Sequence, residues 1–280
     1  MIDNAVAIYC FFDDFLKKIG HIEDKQRKMS DSEVMLIGFL SMTYFCGHYE
    51  RGLTYAKESG LFKYVLEKSR FNRRLMAVEE LMEQIFLSTG ALLKQFNTSM
   101  EYVMDSFPIS VCHNIRIANN HLLPYDKQYR GKCVSKREYF YGFKIQVIAT
   151  IDGYPVEFAI VPGSWHDSRG MKALTMNIPE GSRNICDSAY VDYEFEDLMM
   201  ECENIWLDTV RKATSKRKEP FYRTFYKNFK RKIIEVTFSQ ITAQMPKRIH
   251  TTSIRGFLLK IKLFLWNFTF NKSLKLLAAT

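Results

Sequence analysis

A chain of 280 residues with 47% hydrophobic content is long enough to fill one large core or two smaller ones. Its formal charge of +9 favours polyanionic partners, nucleic acid first, over acidic substrates or neutral metabolites. The six cysteines include no Cys-x-x-Cys pair and no zinc-site spacing, so they are expected to be reduced, mostly buried thiols of a cytoplasmic protein.

Along the first hundred residues the apolar positions recur with helical spacing. The opening "MIDNAVAIYCFFDDFLKK" carries acids where a secretory signal would be basic. "SDSE" at 30–33 has the form of a capping box ahead of the apolar run "VMLIGFLSM". The longest uncharged apolar stretch, "VMLIGFLSMTYFCGHY", is shorter than a membrane span. A second helix is expected around "GLTYAKESG", closed by Gly60, and a third through "RFNRRLMAVEELMEQIFLSTGALLKQF". Residues 1–100 are therefore expected to form a helical, DNA-binding domain. Arg70, Arg73 and Arg74 share one turn, a pattern that fits a solvated face better than a DNA-reading helix.

From 101 the period changes. "EYVMDS" reads as a strand, and "FKIQVIATIDGYPVEFAIV" as a hairpin turning at Asp152-Gly153. In "PGSWHDSRGMKAL" either Asp167 or Ser168 is expected to cap a short helix. "RNICDS" supplies a strand, "YEFEDLMMECE" a helix and "NIWLDTV" another strand. This order predicts a mixed α/β sheet over 101–280, with Asp105 and Asp187 at strand ends.

The segment 211–232 holds ten Lys and Arg against the single Glu219, an excess equal to the net charge of the whole chain. Arg211, Lys212, Lys216, Arg217, Lys218, Lys230, Arg231 and Lys232 are its candidate DNA contacts. Phe221, Tyr222, Phe225, Tyr226 and Phe229 are interleaved with the charges, a mixture suited to stacking, although core-facing aromatics are the commoner reason for such a pattern. In "KRKIIEVTFSQI" the apolar positions predict a largely buried helix around Glu235. Arg231 lies one turn before Glu235, which offers a simple i,i+4 ion pair. The functional alternative makes Glu235 the third oxygen ligand beside Asp105 and Asp187. Three converging carboxylates repel unless divalent cations bind among them, and Mg²⁺ takes such oxygens together with substrate phosphate.

"MDSFPIS", "GFKIQVIATIDGYPVEFAIVPGSWHDSRGM", "NICDSAY" and "RKIIEVTFSQI" resemble successive motifs of the DDE transposases of bacterial insertion sequences, most closely the subgroup numbered nine-eight-two. The resemblance implies an RNase H-like catalytic domain with catalytic and metal-binding Asp105, Asp187 and Glu235. It also implies two Mg²⁺ or Mn²⁺ ions per site, cleavage of DNA at the terminal inverted repeats and attack of a 3′-hydroxyl on target DNA. A bacterial cytoplasm, at the nucleoid and without a membrane, and a homodimer or larger assembly on paired ends are further implications. Where many relatives flank the Glu with Tyr, Arg and Lys, this chain keeps Arg231 but has Asn228 and Thr242. A nuclease of similar fold without strand transfer, or an inactive DNA-binding descendant, would share most of these features.

Trp165 is a candidate for stacking on an unpaired base, and His166 for a hydrogen bond near the site. The final stretch "TTSIRGFLLKIKLFLWNFTFNKSLKLL" reads as an amphipathic helix covering the catalytic domain, with Lys260, Lys262, Lys272 and Lys275 as its polar minority.

Overall fold

In the computed structural model, which describes residues 2–112, 114–133 and 137–277, the chain divides into one unit of 1–88 with 241–280 and another of 89–240. The first unit begins with α1 (Ile2–Lys18), α2 (Asp31–Phe45), α3 (Tyr49–Glu58) and α4 (Lys68–Ala77). The capping box is formed: the Glu33 amide donates to the Ser30 hydroxyl at 3.1 Å, and the Ser30 amide donates to the Glu33 carboxylate at 2.7 Å. Gly60 follows α3 at φ +70°, a left-handed turn that favours glycine. The single helix expected over 70–96 is two, because the chain breaks at Val78 before α5 (Glu79–Phe96) begins with two acids in its first turn.

The last helix, α9 (Ile254–Leu277), packs against α2 in this first unit. It was expected to be amphipathic and to cover the catalytic domain. Instead every residue from Leu263 to Phe270 is buried, the pattern of a helix enclosed on all sides. The buried Asn267 is satisfied at its carbonyl, which accepts from Thr43 at 2.8 Å and from Asn271 at 2.9 Å, while its amide nitrogen has no hydrogen-bond partner among the described residues. Phe12, Phe39 and Phe270 meet with ring centroids 5.0–5.9 Å apart. Each such side chain contributes about 1.5–3 kcal/mol by leaving water. No helix among the described residues is long and apolar enough to cross a membrane.

The second unit is built on a six-stranded mixed sheet of order β2-β3-β1-β5-β6, with β4 also paired to β3. Its strands are β1 (Glu101–Cys112), β2 (Arg130–Cys133), β3 (Glu138–Thr150), β4 (Pro155–Pro162), β5 (Arg183–Cys186) and β6 (Trp206–Thr209). The expected hairpin is β3 and β4, and Gly153 in its turn has φ +76°. β1 runs antiparallel to β3 and parallel to β5, which is parallel to β6. Helices α6 (Asp167–Met171), α7 (Tyr193–Glu203) and most of α8 (Phe221–Gln244) complete the unit. One face of the sheet packs Tyr102, Met104, Ile148 and Val156 against Met171, Tyr190 and Met199. The cysteines depart from expectation: Cys10, Cys46 and Cys202 are exposed, Cys112 and Cys133 are half-buried and Cys186 is buried.

Candidate active site

The parallel ladder between β1 and β5 ends at the pair Met104 and Cys186. The next residue on each side is an aspartate, so Asp105 and Asp187 leave the ladder together. Asp187 is at a strand end as expected, and its carboxylate caps the turn at 188–190 by accepting from the Ser188 amide at 2.6 Å. Asp105 is not: β1 continues to Cys112, and Asp105 stays paired with Val147 of β3. The run "SFPISVC" extends the strand because β3 supplies an antiparallel partner along nearly its whole length.

The Arg231 guanidinium stands between the two acids, 3.5 Å from Asp105 and 3.2 Å from Asp187. Burial pushes the Asp105 carboxyl from 3.8 up to about 6, against the Ser106 amide and the Arg231 charge, with Asp187 and Asp167 adding repulsion. The Nε of Arg231 is buried with no hydrogen-bond partner among the described residues.

Alternation along β1 sends Asp105 and Phe107 to one face. On α8, Arg231 meets Asp105 and Phe238 meets Phe107, with ring centroids 4.7 Å apart. Glu235 lies four residues after Arg231 and three before Phe238, hence on the same side of the helix. It is exposed rather than sunk in apolar surroundings, and it has no ion-pair partner among the described residues. The i,i+4 pair is not made, because Arg231 is taken by the aspartates. Donor atoms of Asp105, Asp187 and Glu235 do not all come within 4.8 Å of one another; among the described residues His21, Glu23 and Asp31 do. In that second group the buried Asp31 is already engaged: it accepts from His21 at 2.9 Å, Arg27 at 2.7 Å and Arg74 at 2.6 Å.

Asp167 does not cap the helix as expected. The cap of α6 is His166, whose Nδ1 accepts from the Ser168 amide, while Asp167 reaches back to the sheet. It accepts from the Ser106 hydroxyl at 2.8 Å and from Lys144 at 3.1 Å. Gln146, below Lys144, accepts from Tyr190 at 2.6 Å. A polar layer therefore backs the residue next to Asp105. Its trace in the sequence is the polar residues Ser106, Lys144 and Gln146 inside largely apolar strands.

A family profile described as a transposase DDE domain matches residues 94–253, more than half of the chain. The chain belongs to this family. No curated protein and no solved structure matches it. Membership makes this a transposase and DNA its partner, and members of the family use divalent metal ions.

For a DDE transposase the basic segment is less available than its composition suggests. Arg211 is bound to Glu196, Arg217 to Asp197 and Lys230 to Glu101. Lys227 is buried against Asp208, Glu219 and the Thr209 carbonyl. Lys212, Lys216, Lys218 and Lys232 are exposed and make no ion pair among the described residues. The interleaved aromatics do not face the core: Phe221, Phe225 and Phe229 are 84%, 65% and 58% exposed, and Tyr222 and Tyr226 are exposed too. Helical spacing lines up Phe221, Phe225, Phe229 and Lys232 on one open face, beside the edge that carries Glu235. The Trp165 ring is half-buried under Arg169, 4.0 Å from its centroid.

Proposed function

We propose that the chain is an insertion-sequence transposase of the subgroup numbered nine-eight-two, whose RNase H-like second unit cuts DNA at the element ends and directs the freed 3′-hydroxyl to attack a target phosphodiester, joining the element strand and releasing a target 3′-hydroxyl. The observation that carries this reading is the cation held between Asp105 and Asp187, with Glu235 one turn further along the same side of α8. A pair of carboxylates already bridged by a guanidinium accepts positive charge, and an all-oxygen donor set suits Mg²⁺ or Mn²⁺ rather than zinc. Asp105, Asp187 and Glu235 would hold two such ions. When bound, the ions would activate the attacking oxygen and stabilise the leaving one.

The residues of the chain have their own tasks. Arg231 has to give up the aspartates when a metal displaces it, and its long stem lets the guanidinium turn toward a phosphate. Asp167 holds Ser106, and with it the backbone that presents Asp105. Lys212, Lys216, Lys218 and Lys232 are free to neutralise backbone phosphates, joined by Arg211, Arg217 and Lys230 where DNA outcompetes their acids. The open aromatic face offers stacking surface to bases unpaired at a cut end. Trp165 and His166 would contact a DNA end, as the resemblance to the family implies. The protein would act in the bacterial cytoplasm at the nucleoid, as a homodimer or larger assembly on paired ends.

The test is a product assay on duplexes carrying the repeats that flank the coding region. Joined strands with Mg²⁺ or Mn²⁺, and none with Ca²⁺, are expected. Hydrolysis alone would make the protein a nuclease, and binding without cutting would make it an inactive descendant. Equal rates in Ca²⁺ would contradict the metal chemistry.

A further inference from the structure

The helical unit has an open cleft of about 470 Å³ whose lining includes Arg27, Lys28, Arg70, Arg73 and Arg74, and none of its described lining residues is acidic. We infer that this cleft is a second DNA-docking site, one that grips the phosphodiester backbone of duplex DNA. The inference rests on the transposase reading and adds a contact surface remote in sequence from the catalytic acids.

The cleft is a built feature rather than a solvated face. Asp31 is 1% exposed and anchors two of the five cations, Arg27 at 2.7 Å and Arg74 at 2.6 Å. Arg74 also donates to the Met29 carbonyl at 3.1 Å, which ties the loop before α2 to helix α4. Asp31 is itself fixed, since it opens the capped end of α2 and its amide donates to Glu23. Its single negative charge is spent on these neighbours. Lys28 rests over the Tyr64 ring, 5.4 Å from the centroid, which directs its ammonium along the cleft wall. Arg70 and Arg73 are exposed, and among the described residues they have no carboxylate partner. They lie one helical turn apart on α4, on the side that carries Arg74.

Five cations around one depression repel one another, and solvated surfaces ordinarily mix signs. An anion relieves that repulsion. Guanidinium forks match phosphate oxygens in pairs, and Arg70 and Arg73 are spaced along α4 to meet successive phosphates rather than one small anion. Backbone gripping, not base reading, follows from the fixed posture of Arg27 and Arg74, which Asp31 holds at the wall.

Fluorescence anisotropy without divalent metal, on the full chain between 50 and 300 mM KCl, tests this. Two duplexes of equal length are used, one with the element end and one of unrelated sequence. The Arg70→Ala/Arg73→Ala variant removes two exposed side chains, and an unchanged melting temperature shows that it is folded. The slope of log K against log salt should fall by about 1.8, and affinity at 0.1 M salt should drop on the order of 10- to 100-fold, equally on both duplexes. Arg70→Lys/Arg73→Lys should restore most of the slope. An unchanged slope, or a loss confined to the element-end duplex, overturns the inference while leaving the transposase reading intact. A wild-type chain that binds neither duplex overturns that reading itself.

Discussion

Replacing Asp105 with Asn should make the folded protein more stable at neutral pH while abolishing its chemistry. The carboxyl is only 22% exposed, and burial raises it from 3.8 to about 6. A carboxyl raised on folding contributes stability that is full below the unfolded value and lost as pH climbs through the folded one. For 3.8 and about 6, the ionised folded state is penalised by about 3 kcal/mol at pH 7.5 and by about 0.5 kcal/mol at pH 4. Asn accepts the Ser106 amide without a charge to desolvate, and Arg231 keeps Asp187. Thermal melting of the two proteins across pH 4–8 should show Asp105→Asn gaining roughly 5–10 °C at pH 7.5 and little at pH 4. Added Mg²⁺ should then stabilise the wild type and leave the variant unmoved. A variant less stable than wild type at pH 7.5, or a gain that persists at pH 4, would refute the reasoning.

Other consequences follow from the ion pairs. Asp31→Ala leaves Arg27, Arg74 and His21 without their shared acceptor, so it should cost about 3–5 kcal/mol of stability, read by urea unfolding. Lys227→Met strands Glu219 and Asp208 and should cost a similar amount, whereas adding Glu219→Gln and Asp208→Asn should recover part of it. Phe221→Ala/Phe225→Ala/Phe229→Ala should hardly affect melting, since all three are exposed. It should weaken binding to a duplex with an unpaired end by about 1–3 kcal/mol per base stacked, and to a blunt duplex far less; anisotropy on both substrates checks this.

Features set by neighbouring residues were legible in the sequence. The Ser30 and Glu33 capping box, the turn at Gly153 and the succession of strand and helix from 183 to 209 all form as expected, because each depends on residues within a turn or a strand. What failed depended on distant partners. Asp105 reads as a strand end only while β3, some forty residues later, is left out. The basic segment reads as free cation until Glu101, Glu196 and Asp208 arrive from elsewhere in the sheet unit. The i,i+4 spacing of Arg231 and Glu235 suggested a pair, yet two aspartates held together by the β1 and β5 register compete for the guanidinium and win. Asp167 reads as a helix cap for the same reason: its partners Ser106 and Lys144 lie on two distant strands. Charge counting along the chain locates polar chemistry, but only the sheet register tells which charges are already spent.

The central claim is that Glu235 joins Asp105 and Asp187 in metal-dependent attack on DNA. Single-turnover cutting of an element-end duplex in Mg²⁺, with wild type and Glu235→Gln at saturating protein, tests it most directly. Glu235→Gln should bind the duplex as tightly as wild type and give neither cut nor joined strands. Product formation by Glu235→Gln at the wild-type rate would contradict the account.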